Sequence, residues 1–376
     1  MRIAVFTDTW EPQVNGVVTS IRLFTEELRK KGHEVHIFCP ADNKLRAGRF
    51  VHPVRSIKFS PYPEYRVGLP SVRAYRLIKR LRPDVIHVHG PASVGVLGTL
   101  IGLWFGIPVI ATYHTRLDQY LTYLPGYKLA ALKQLSRSAV RRWLQLVLGQ
   151  AELVIVPSKD TERVLRRDGI RASMAVLPTG IRLEQFKGGH NETSPPIILH
   201  VGRLCRERSV DMVVRAFAQL GDNARLVITS SGPAETELKQ LANDLGIKNK
   251  VRFTGYISEA EKLKLYRQAT MFVTASATDT QSLVVLEAMA SGTPVVAVNA
   301  GGVRDYLKGG VNALTVREGD VRALSAAMKK LLGDKRLRQK LAHGGLKTAK
   351  DTSIEACTER LEELYKKVAS GVGDGV

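Results

Sequence analysis

The chain has 376 residues, 44% of them hydrophobic, with 56 Lys and Arg against 35 Asp and Glu and a formal net charge of +21 at pH 7. That length exceeds one ordinary core and implies two domains, while the absence of any apolar run near the roughly 20 residues that span a bilayer argues against a transmembrane segment. The positive excess lies mostly in residues 1–190, where 29 cations face 14 acids, against 27 and 21 in residues 191–376. An anionic partner for the first half follows, and nucleic acid and an anionic membrane surface both qualify.

Cys39, Cys205 and Cys357 lack metal-ligand spacing, which argues for a reducing compartment and against a disulfide scaffold. The opening MRIAVFTDTW is read as a first buried strand, Ile3–Phe6, rather than as a signal peptide. The turn Val14-Asn15-Gly16-Val17 follows, then a helix from about Thr19 to Lys31, a stop at Gly32-His33, and a strand at Val35–Phe38. Residues 40–70 are proline-rich loop. Ser71 to Leu81 carries Arg73, Arg76, Lys79 and Arg80, with Arg82 just beyond and no acid among them. Asp84–Val88 is a strand with His87 and His89 at its end, read as satisfied loop histidines rather than metal ligands. Val109–Thr112 is a strand that delivers Tyr113-His114-Thr115. Lys128 to Gln150 reads as one long helix. Lys133, Arg137 and Arg141 form a stripe on it, and Leu129, Leu132, Trp143 and Leu146 fall on other faces. Basic residues beside Leu and Trp suit an interfacial helix on anionic headgroups, an ordinary solvated cationic face being the other reading.

Leu153–Val156 closes the first domain, and residues 181–196, rich in Pro, Gly and polar side chains, read as a linker. Ile197–Val201 opens a second strand–helix alternation and runs into Arg203 and Arg208. Guanidinium groups at the exit of a parallel strand match phosphate oxygens. Leu226–Thr229, a helix near Glu235–Leu245, and Val251–Thr254 before Gly255-Tyr256-Ile257 continue the pattern. The most informative stretch is 279–302, DTQSLVVLEAMASGTPVVAVNAGG. A polar turn, Asp279 to Ser282, precedes a short helix, Leu283 to Ala290, with Ser291-Gly292 as a stop and a buried strand at Val295–Val298. Free N–H groups around Gln281, Ser282, Leu283 and Val284, at the positive end of a helix dipole, make an anion site. Asp279 and Glu287 frame it. Helices at Val321–Leu332 and Ile354–Val368 finish the chain.

The 279–302 stretch resembles the signature of the GT-B glycosyltransferases of the retaining, glycogen-synthase-like family 4 type. In that pattern two glutamates are separated by seven residues and followed by an Ala-Met-Ala-Ser-Gly-Thr-Pro-Val-Val-like run. Here the second acid is Glu287 and the first is Asp279, shorter by a methylene. The family pairs an arginine with a lysine five residues on; here the pair is Arg203 and Arg208. An acid is usual where this chain has Arg182.

The resemblance implies an α/β GT-B fold, with two Rossmann-like domains facing across a cleft. An N-terminal acceptor domain of residues 1–180 regains 353–376 through a returning C-terminal helix, and a nucleotide-sugar domain spans 197–352. It implies a metal-free retaining transfer of a hexose from a nucleoside-diphosphate sugar. Gly16 would approach the diphosphate, which Arg203, Arg208 and the N–H groups of 281–284 would stabilise. Glu287 would bond the ribose, Asp279 and His114 the donor sugar, and Gly255-Tyr256-Ile257 the base. YHTRLDQYLTYL, residues 113–124, resembles the acceptor stretch of bacterial diacylglycerol glucosyltransferases, and phosphatidylinositol mannosyltransferases are similar. The expected donor is UDP-glucose-like, with GDP-mannose as the alternative. The expected acceptor is a membrane lipid such as diacylglycerol, met at the cytoplasmic face of the membrane, with a phosphoinositide or a small soluble acceptor as alternatives. An NAD-dependent enzyme would need a G-x-G-x-x-G after the first strand, and none is present. A nucleic-acid-binding protein would explain the charge, yet no recognition motif accompanies the basic helices, so no nucleic acid is expected.

Overall fold

The structure is a computed structural model, and it describes residues 1–13, 15–42, 48–58, 66–114, 130–221 and 224–371. Two compact units emerge, Met1–Gly180 with Ile354–Val376, and Ile181–Ser353. The acceptor-stretch resemblance beyond His114, and Lys128 and Leu129 of the long basic helix, lie outside the described residues.

The first unit is a seven-stranded parallel sheet in the spatial order Val51–Val54, Glu34–Pro40, Arg2–Thr7, Val85–His89, Val109–Thr112, Leu153–Val156, Met174–Val176. Arg2–Thr7 is central: Ile3 pairs Val35 on one side and Val85 on the other. Five of its six residues are buried, as expected for a strand covered on both faces. The helix Gly16–Lys30 starts three residues earlier than the hydrophobic pattern suggests, because the Asn15 side chain caps it by accepting the N–H groups of Val17 and Val18. The helix Ile354–Ala369 returns to this unit and buries Ile354, Cys357, Leu361 and Tyr365 in its core.

The second unit is a six-stranded parallel sheet in the order Val251–Phe253, Arg225–Thr229, Ile197–Val201, Met271–Thr274, Val295–Val298, Leu314–Val316. Residues 181–196, expected as a linker, fall within this unit. Ile181 donates its N–H to the Thr352 carbonyl and, with Phe186, is buried in the second core, so tertiary packing claims a segment whose composition reads as loop.

In both sheets the chain starts in the middle and builds outward, first one way and then the other. Such a reversal leaves a crevice beyond the carboxyl ends of the two central strands, where helices leave on opposite faces. For the second unit that point lies beyond Ile197–Val201 and Met271–Thr274. The residues that follow those strands are 202–208 and 275–282, the two stretches that sequence reasoning singled out.

Candidate active site

Arg208 closes a short helical turn, Arg206–Arg208, after the Ile197–Val201 strand. Its Nη1 donates to Asp279 Oδ2 at 2.8 Å, with Asp279 almost buried and Arg208 partly so. The two loops are tied a second time by Thr278 Oγ1, which donates to the Glu207 carbonyl at 3.1 Å. Thus the expected phosphate cation and the expected sugar-binding acid contact each other. A guanidinium has five N–H donors in a fixed fork, so Arg208 can hold Asp279 through one and keep others for phosphate oxygens. Arg203 precedes that turn and is half-buried.

The Asp279–Ser282 turn is held from below by its neighbours. Gly302 donates its N–H to the Asp279 carbonyl at 2.7 Å, and a Cβ on Gly302 would stand 1.8 Å from the Thr280 oxygen, so only glycine fits this contact. Tyr306 OH donates to the carbonyls of Gln281 at 2.7 Å and Ser282 at 3.2 Å. Ser282 is held at φ +68 and delivers the chain into the helix Leu283–Ala290, whose first N–H groups, with no intrahelical acceptor, face the turn.

Three buried polar atoms in this region lack a hydrogen-bond partner among the described residues: His200 Nε2, Ser276 Oγ and Ser282 Oγ. His200 lies at the end of its strand, and its Nδ1 donates to the Val273 carbonyl at 2.9 Å. Burial pushes its pKa down to about 4, so the ring is neutral and Nε2 is a lone-pair acceptor near Arg208. An unmatched buried polar atom costs about 1–3 kcal/mol, and these three lie on or just after the two central strands of the sheet. Sequence reasoning missed His200; a histidine within a buried apolar strand was the available signal.

Glu287 sits differently from the expectation that both acids are open to one ligand. Lys262 Nζ donates to its Oε1 at 3.1 Å and Tyr266 OH to its Oε2 at 3.0 Å. Burial raises its pKa, while Lys262 and Tyr266 pull it back. A carboxylate has about four acceptor positions, so two remain for hydroxyl donors. Gly255, at φ +68, bridges to Ser230, whose N–H donates to the Gly255 carbonyl at 2.7 Å; Tyr256 beside it is 68% exposed, and Ile257 is half-buried.

In the first unit, His114 follows the Val109–Thr112 strand and shares a 2.8 Å hydrogen bond with His89 through its Nε2 and the partner's Nδ1. His87 bonds Tyr365 OH and Thr112 Oγ1, each at 2.6 Å. Burial drives His114 to about 4 and His87 to about 3, and His89 well below its usual value. All three are therefore neutral at physiological pH, so His114 offers a hydrogen bond and not a charge. They line a cavity of about 10 Å³, room for one water. Gly16 is exposed at the first position of its helix, and a Cβ there would meet nothing within 4 Å. Gly16→Ala should therefore leave the melting temperature unchanged. If a donor diphosphate approaches the Gly16 backbone, the variant raises the donor KM about tenfold or more; an unchanged KM would reduce Gly16 to a helix start. Among the described residues no group of three or more His, Cys, Asp or Glu side chains is placed to hold a metal ion.

Two doubly wound parallel sheets, with cations and a helix N-terminus at the switch point of the second, match the architecture of a GT-B protein. The family model "Glycosyl transferases group 1" matches residues 181–348 and "Glycosyltransferase Family 4" matches residues 14–185. The alpha-monoglucosyldiacylglycerol synthase of Streptococcus pneumoniae is 33% identical over 317 residues, covering 79% of this chain and 71% of that protein. A GDP-mannose-dependent alpha-mannosyltransferase of Mycobacterium tuberculosis is 30% identical over 323 residues, covering 82% of this chain and 81% of that one. The chain belongs to the family 4 glycosyltransferases. Among solved structures, sucrose-phosphate synthase from Thermosynechococcus elongatus superposes with a TM-score of 0.79 at 20% identity, covering 98% of this chain and 99% of that one. Anabaena HepE in complex with UDP-glucose gives 0.76 at 17%, covering 98% and 100%.

Proposed function

We propose that this glycosyltransferase moves a hexose from a UDP-glucose-like donor to the hydroxyl of a membrane lipid such as diacylglycerol, with retention at the anomeric carbon. The observation that carries the donor half is the Arg208–Asp279 pair with the unmatched Nε2 of His200 beside it. It suits a diphosphate and its attached sugar. In this reading Arg203, Arg208 and the N–H groups of Gln281 to Val284 stabilise the departing diphosphate as its charge grows. These cations do the neutralising that a divalent metal does in other transferases, so turnover needs no metal. Asp279 aims Arg208 and bonds the donor sugar, with His114 as a neutral partner to a sugar hydroxyl. Glu287 takes the ribose hydroxyls on its two remaining acceptor positions, and the backbone of Gly255-Tyr256-Ile257 takes the base. With Asp279 engaged by Arg208, front-face attack is favoured over a covalent intermediate, the leaving phosphate accepting the proton of the incoming hydroxyl.

The lipid acceptor is supported by the Streptococcus pneumoniae relative, whose name describes glucosyl transfer to diacylglycerol. A second reading, a GDP-mannose donor, is supported by the mycobacterial relative. The test offers UDP-glucose, UDP-galactose, ADP-glucose and GDP-mannose, each with detergent-dispersed diacylglycerol or phosphatidylinositol, in EDTA. An α-linked glucosyl lipid from UDP-glucose is expected. A β-linked product would overturn retention, and product only with GDP-mannose would move the assignment to the second reading. Loss of turnover in EDTA would overturn the metal-free route.

A further inference from the structure

The helix Ser93–Phe105 contains no charged residue, and three of its large apolar side chains are exposed. Its buried face combines Val94 and Ile101 with small residues: a Cβ on Gly98 would stand 2.5 Å from the Phe6 ring, and one on Gly102 2.4 Å from Val109 Cγ2. Backbone thus lies directly on the sheet at these two glycines, and a set of large side chains lies on the opposite face. Leu100, Leu103 and Trp104 are 59%, 51% and 75% exposed, one stripe at helical spacing. A helix that only had to cover the sheet would place its large apolar groups inward and polar ones outward.

The neighbouring helix Val72–Leu81 supplies the complementary chemistry. Tyr75 meets Trp104 edge to face with ring centroids 6.3 Å apart, so the two helices are adjacent at this end. Arg73, Arg76, Lys79 and Arg80 are all exposed, as is Arg82 just past its end, and the helix has no acid. Among the described residues none of these five cations has an ion pair. The long helix Ala130–Leu148, expected to share this role, contributes less, because Arg141 is paired with Asp168 at 3.3 Å.

The geometry points to the Leu100–Leu103–Trp104 stripe as the element that enters an anionic bilayer, with the Val72–Leu81 cations on the headgroups beside it. An apolar stripe bordered by unpaired cations of one sign complements a surface that is negative at the headgroups and apolar beneath them. A second copy of this chain would bring the same five positive charges against one another. This assignment rests on the lipid-acceptor reading and locates where the enzyme meets its acceptor's membrane.

The test compares the parent with Leu100→Ser/Leu103→Ser/Trp104→Ser in sedimentation with phosphatidylcholine vesicles, with and without phosphatidylglycerol. Because the replaced side chains are exposed, the variant should keep its melting temperature. It should lose about tenfold or more in partition onto the anionic vesicles. Acyl-chain bromines should quench the Trp104 indole, read as the difference between the parent and Trp104→Phe. Equal partition of parent and serine variant, with no quenching assigned to Trp104, would overturn the proposal. So would a parent dimer that the serine variant turns to monomer while vesicle binding is unchanged. Glycolipid formation from detergent-dispersed diacylglycerol bypasses docking, so its loss would overturn the acceptor reading alone.

Discussion

Arg208→Ala should turn over the donor about 100- to 1,000-fold more slowly than the parent, a loss of about 3–4 kcal/mol in transition-state stabilisation. The size of the effect comes from when the contact matters. A guanidinium facing a diphosphate gains most as the glycosidic bond breaks and negative charge builds on the leaving group. The loss should therefore fall on kcat more than on KM. The same substitution also removes the 2.8 Å partner of Asp279, leaving a nearly buried carboxylate without its cation. Melting temperature must be measured beside turnover, since an intact fold with parental kcat would refute the clamp.

The second large effect concerns the pair as a unit. Asp279→Ala should lower turnover about 100-fold, because it loses both the sugar contact and the aim of Arg208. The more revealing comparison is conservative. The family pattern has a glutamate and a lysine where this chain has Asp279 and Arg208, an acid one methylene shorter opposite a cation of longer reach. The 2.8 Å contact leads us to expect that the two departures compensate. Arg208→Lys alone leaves the pair short, and Asp279→Glu alone crowds it, so each should cost about 3- to 30-fold in kcat/KM. Asp279→Glu/Arg208→Lys should recover to within about threefold of the parent, a coupling of about 1–2 kcal/mol. Strictly additive losses in the double variant would mean that the two side chains act independently and that their contact has no catalytic weight.

Several features of this protein follow from local sequence alone. The alternation of apolar strands with helices and the glycine stop after Ala290 are encoded by period, turn chemistry and helix signals over short windows. The polar turn before the helix Leu283–Ala290 was legible for the same reason, since strand, turn and helix are contiguous there. Tertiary structure decided what depends on residues far apart in the chain. Arg208 and Asp279 are 71 positions apart and meet because two central strands are adjacent in the sheet. His200 becomes a site residue only once Val273 fixes its tautomer and leaves Nε2 without a partner among the described residues. Residues 181–196 look like linker by composition and are nonetheless claimed by the second core through Ile181 and Phe186. The helix Ser93–Phe105 is the clearest case: it is apolar on every side, so its sequence has no period to say which face is buried. Only contact with Phe6 and Val109 shows that the glycines face the sheet and that Trp104 faces out.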